Sequence, residues 1–150
     1  MIAGVSAESV ANPRGDARST RVDHPARPLV YACSGCSSAA QMANQIALWL
    51  MRSGQAQMSC IAGVGGGVAG IVRTARSGRP ILALDGCVMH CVKACLAQAG
   101  VQASIHLTLS TFGVAKRRDQ DFDPGEAERV YAEHVMPALE SMSAASQPPG

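Results

Sequence analysis

One pattern limits what this chain can fold into more than any other. A short apolar run, a Gly- or Cys-rich turn and a stretch of helical period follow one another four times. Pro28 to Ala32 reads as a strand, and Ser38 to Arg52 reads as a helix with Met42, Ile46, Trp49 and Leu50 on one face and Gly54 as its stop. Ala56 to Ala62 gives a second strand, and Val68 to Arg76 a second helix ended by Gly78. Ile81 to Leu84 is a continuous apolar run, the mark of a strand buried on both faces of a parallel sheet. Val88 to Ala99 reads as the third helix, Ser104 to Leu109 as the fourth strand, and Glu126 to Met142 as a last helix bent by Pro137. Successive βα units of this kind require right-handed crossovers over the sheet faces. The expected fold class is therefore α/β: an open three-layer sandwich with a short, mostly parallel sheet of about four strands.

The ends differ from this core. Residues 1–28 carry three Pro and four Arg with no apolar period, and read as a disordered leader; residues 143–150 read as a flexible tail, leaving one domain over 29–142. The charge balance, 13 basic against 11 acidic residues, gives a net +2, too little for a dense basic stripe, and aromatic residues make up only 3% of the chain. No nucleic-acid partner is expected. The longest apolar run, Ile46 to Met51, is too short to span a bilayer, so no membrane role is expected either.

The cysteines carry the chemistry. There are six, the N-terminus has no secretory pattern, and a cytoplasmic location is expected, where clustered thiols serve as metal ligands or redox groups. In an open parallel sheet the site lies at the carboxyl ends of the strands. That edge receives Cys33 and Cys36 after the first strand, Cys60 after the second, and Cys87 and Cys91 after the third. Cys33-Ser34-Gly35-Cys36 is a C-x-x-C turn, and Cys87 and Cys91 would stand one helical turn apart on the third helix. Cys36 and Cys87 would also fall where helices begin, which favours thiolates. The expected site is one Zn(II) held by the thiolates of Cys33, Cys36, Cys87 and Cys91. An iron–sulfur cluster on the same four sulfurs is the alternative, and a thioredoxin-like redox couple competes for the first pair.

Other residues receive plainer readings. Cys95 is expected to pack, and Cys60 is either a small buried thiol or, if the chain performs any reaction, its reactive group. Whether it is an enzyme stays open. Asp85 is read as a helix N-cap, and His90 as a half-exposed helical residue or a stand-in ligand. His24, His106 and His134 have no evident partner. Met42, Met58 and Met89 are read as core filler, and Lys116-Arg117-Arg118 as a solvated loop. Gly65 to Gly70 fits G-x-G-x-x-G, yet the acidic residue that would hold a ribose is missing at its place, since Asp85 comes only 15 positions after Gly70 and belongs to the Asp85-Gly86-Cys87 turn. Gly63 to Gly67 is expected instead to let backbone pass close beside the metal edge or to bind a small anion through its amides.

These residues together resemble a known family. Tyr31 to Ser37, Met58 to Gly66, and Asp85-Gly86-Cys87 with Cys91 and Cys95 are similar to the DGC-domain proteins, named for that central tripeptide; the likeness runs from about Pro28 to Asp123. Gly67 in place of an acidic residue and Val88 in place of a frequent Pro depart from the pattern without removing a thiol. The resemblance implies zinc binding through four chelating cysteines and no established reaction. A storage, delivery, sensing or assembly role is the functional expectation, with the protein client unknown.

Overall fold

The computed structural model describes residues 27–145. Its elements are β1 (Leu29–Ala32), α1 (Ser38–Arg52), β2 (Gln57–Met58), α2 (Ile61–Gly65), α3 (Ala69–Ala75), β3 (Ile81–Asp85), α4 (Cys91–Gln98) and β4 (Ile105–Thr108). A 3₁₀ turn (Leu109–Phe112), α5 (Pro124–Val130), a π-helical turn (Tyr131–Val135) and α6 (Met136–Ala145) complete it. Most of the expected leader, residues 1–26, and the last five residues of the expected tail lie outside the described part. Arg27 and Pro28 are already tied to the fold, since their carbonyls accept from Arg79 and from the Gln57 amide.

All four strands run parallel, in the order β2-β1-β3-β4. The central pair is fully paired from Leu29 opposite Ile81 to Ala32 opposite Leu84, and every residue of both strands is buried. The continuous apolar run expected of a strand buried on both faces is thus met in the middle of the sheet. The step from β1 to β2 runs one way and the step from β2 to β3 runs back past β1, so right-handed crossovers put α1 on one face and α2, α3 and α4 on the other. On the α1 face, Trp49 meets Tyr131 edge to face at 5.7 Å, which locks the C-terminal helical stretch over α1.

Two expected elements need correction. The second strand is two residues long rather than seven, because β2 is an edge that pairs with β1 alone and Cys60 already caps a helix. The third helix starts at Cys91 rather than Val88, for a reason that belongs to the site. The last helix bears out the expected disturbance at Pro137 as a wide π turn at Tyr131–Val135 just ahead of it. Proline has no N–H to donate to the Glu133 carbonyl, so the regular ladder is interrupted there.

Candidate metal centre

Strand order decides where a site can form. The chain reverses its direction across the sheet between β1 and β3, and such a switch point opens a crevice at the carboxyl ends of the two strands. Cys33 follows β1 directly, and Gly86-Cys87 follows β3. A cavity of about 160 Å³ sits there, lined by Cys33, Cys36, Cys87 and Cys91 together with His90 and Lys116. The sheet therefore delivers all four expected ligands to one hollow.

Each turn is fixed by a different device. After β1, Ser37 caps α1, its hydroxyl accepting from the Ala40 amide at 3.2 Å, and Cys36 lies one residue before that cap. The segment from Ala115 to Arg118 is laced across this helix start by Ser38, whose amide donates to the Arg117 carbonyl and whose hydroxyl donates to the Ala115 carbonyl. After β3, Gly86 is forced by contact. A Cβ there would stand 2.6 Å from the Ala39 carbonyl carbon and oxygen, so only glycine lets this backbone rest on α1.

Asp85 holds the arch that follows. Only 1% exposed, it accepts from the Val92 amide at 2.9 Å and the Lys93 amide at 3.2 Å, so it caps α4 from the end of β3. The expected cap role is right, but the carboxylate reaches seven and eight residues ahead. Residues 86–90 consequently bridge the gap instead of beginning a helix, with His90 left-handed at φ 53°. Cys87 is therefore neither on the helix with Cys91 nor at a helix start, which corrects both expectations. Val88 and Met89 are 73% and 69% exposed, so Met89 is not core filler.

His106 and His134 do have partners, while His24 lies outside the described residues. His106 Nε2 lies 2.8 Å from Asp85 Oδ2, His90 packs edge to face on His106 at 4.9 Å, and His90 Nε2 is 3.1 Å from Thr108 Oγ1. His134 stacks on Phe112. Asp85 and His106 meet because the register pairs Ala83 with His106 and Asp85 with Thr108, which puts both side chains on one face of neighbouring strands. Nothing in the linear sequence marks that register.

The thiols differ in environment. Cys33 is buried and its Sγ accepts from the Gly86 amide at 3.1 Å. Burial pushes the Cys33 thiol up to about 11, assisted by the nearby charges of Asp85, Cys91 and Cys87 and opposed by the Gly86 amide. Cys36 and Cys91 are exposed, and Cys87 is partly so, with the Lys116 ammonium 3.4 Å from its sulfur. Lys116 is thus tied to the site rather than simply solvated. Cys95 packs as expected, its sulfur against the Gly65 backbone, and burial raises its thiol too. Cys60 is exposed rather than buried, accepts from the Gly63 amide at 3.4 Å, and does not line the cavity of the other four. Among the described residues no three His, Cys, Asp or Glu side chains are gathered tightly enough to form a ready-made metal site.

Sequence comparison places this architecture. A family model described as the DGC domain matches residues 29–134. The chain belongs to the DGC-domain family. It is also 61% identical over 106 residues to a Pseudomonas aeruginosa protein named "Anaerobic and virulence modulator AnvM", an alignment covering 71% of this chain and 81% of that protein. No solved structure matches the sequence. Among the described residues no helix is long and apolar enough to cross a membrane.

Proposed function

We propose that this DGC-domain protein binds one Zn(II) through Cys33, Cys36, Cys87 and Cys91 and that its output is regulatory. The observation that carries the reading is the shared cavity at the β1–β3 switch, onto which all four thiols open. The donor chemistry fits a thiophilic ion: four soft sulfurs are on offer, while the neighbouring Asp85 oxygens are engaged by two amides and His106. The Nε2 of His90 is likewise engaged, by Thr108. With four thiolates a zinc ion has no open position, so what it supplies is a crosslink between two turns.

The protein's own part is to bring those turns together. Gly35, at φ 147° with nothing within 4 Å of a Cβ, leaves the first turn adjustable, and the arch 86–90 is anchored at Asp85 and α4 while its middle is exposed. A site that closes only when loaded suits sensing better than storage. The relative named as an anaerobic and virulence modulator supports the same direction.

Elemental analysis of the full chain purified without added metal tests the proposal. The expected result is about one zinc per chain, lost in serine variants of any of the four cysteines. Retention of zinc in two such variants would remove the assignment, and a brown protein containing iron would replace zinc by a cluster on the same sulfurs.

A further inference from the structure

The glycine run at Gly65–Gly67 is not absorbed by the thiol site. Its amides are not free to cradle an anion: Gly66 donates to the Ala62 carbonyl, Gly67 to Val64 and Val68 to Gly63. The run instead forms one wall of a cavity on the other helical face, about 570 Å³ between the α2–α3 turn and the end of α4. That size falls within the range of small-molecule sites. Gly65 makes the wall possible, since a Cβ there would stand 2.9 Å from Cys95 Sγ on α4.

Val64 and Val72 give the cavity an apolar floor, and Arg73 and Arg76 line it at positions one helical turn apart. Arg76 is held in place by its Nε, which donates to the Ala99 carbonyl at 2.8 Å, leaving the two terminal nitrogens of its guanidinium for a ligand. The Arg73 side chain has no hydrogen bond or ion pair among the described residues. The charge around them is one-sided. From residue 24 to residue 118 the chain carries nine Lys and Arg and a single carboxylate, Asp85, which is buried at the opposite end of β3. Seven acidic residues follow between Asp119 and Glu140, in the segment that leads into and forms the C-terminal helical stretch packed over α1 on the far face. The modest net charge thus conceals a segregation along the chain, with no carboxylate among the residues that line this cavity.

We infer that this cavity is a binding site for a small organic oxyanion of dianionic type, a phosphate monoester on a compact apolar body. Two planar guanidiniums with no compensating carboxylate match two negative charges shared over several oxygens. The valine floor receives the body, and the side-chain-free glycine wall lets it approach the backbone. The site is independent of metal at the cysteines.

The test uses phenyl phosphate as probe against the full-length, isotope-labelled chain, with inorganic phosphate and sodium chloride at matched ionic strength as comparisons. The expected result is saturable perturbation of the Gly65–Gly67 amide signals, with a Kd near or below about 1 mM for phenyl phosphate and weaker for inorganic phosphate. Arg73→Gln, which breaks no bond within the protein, should weaken binding about tenfold, and Arg52→Gln, the same charge change on α1, should leave it unaltered. Absence of saturation, equal binding by Arg73→Gln, or perturbation centred on Lys116–Arg118 would each overturn the inference.

Discussion

The two cysteine-bearing turns leave adjacent strands at the same edge, yet they are built on different terms. The turn from Cys33 to Cys36 is short, ends in a local cap made by Ser37, and has open space around Gly35. The arch from Gly86 to His90 depends on the tertiary structure at both ends, on the backbone of α1 beneath Gly86 and on a carboxylate that reaches across it to α4. The middle of the first turn, around Gly35, can shift while Cys33 stays buried against Gly86, whereas the ends of the second turn cannot move. The contrast also explains why the family tripeptide contains Asp and Gly before its Cys: two of its three residues are needed to set the arch before any thiol chemistry begins.

The sharpest way to break this comparison is a methyl group. Gly86→Ala should destabilise the protein by about 3 kcal/mol or more, because neither the Ala39 carbonyl nor the sheet can yield. Gly35→Ala, with space but an unfavourable φ, should cost about 1 kcal/mol. Equal losses in thermal unfolding would show that the two turns are equally fixed. Next in size, Asp85→Ala removes the acceptor of two amides and the partner of His106 and should cost about 2–3 kcal/mol in urea unfolding. Its amide signals at Val92 and Lys93 should lose protection from exchange first, and protection retained there would refute the long-range cap.

Much of this difference was hidden in the sequence. The strands β1 and β3 and helix α1 were legible because each states its own period, apolar in every position or at spacings of three and four, with Gly54 as a stop. The candidate site was legible as an edge, since parallel βα topology alone gathers Cys33, Cys36, Cys87 and Cys91. The late start of α4 was not, because a helix can be capped by a residue seven positions away only once the sheet has fixed that residue. The short helix after Cys60 was lost for a similar reason: Ile61 and Ala62 read equally well as the end of a strand, and the glycines after them as a loop, when no neighbour is known. His106 had no visible partner because strand register is a property of two segments together.

A smaller effect sharpens the comparison from the other side. Ser37→Ala removes one local cap bond and should cost about 1 kcal/mol, visible as a modest fall in the unfolding midpoint with cavity and arch intact. Smallest under ordinary conditions is the contribution of the Cys33 proton. Its thiol lies above its ordinary value of 9.0, at about 11, so the folded state holds the proton more tightly than the unfolded chain. That stability is fully present below about pH 9 and is lost as pH rises towards about 11. The metal-free protein should therefore weaken across this window in pH-dependent denaturation, and Cys33→Ala should flatten the profile there.

The wide turn at Tyr131–Val135 works like a spacer in a screw thread. One extra residue is taken up in a single turn, so the helix beyond it emerges with its phase reset, and Leu139 and Met142 are buried in step with Val130 and Val135 before it. The same residues wound as plain α-helix, without the wide turn, would bring the helix beyond it out rotated by about 100°. The apolar stripe would then be split into two halves pointing in different directions, which makes the width of this one turn the quantity on which the closing layer of the sandwich depends.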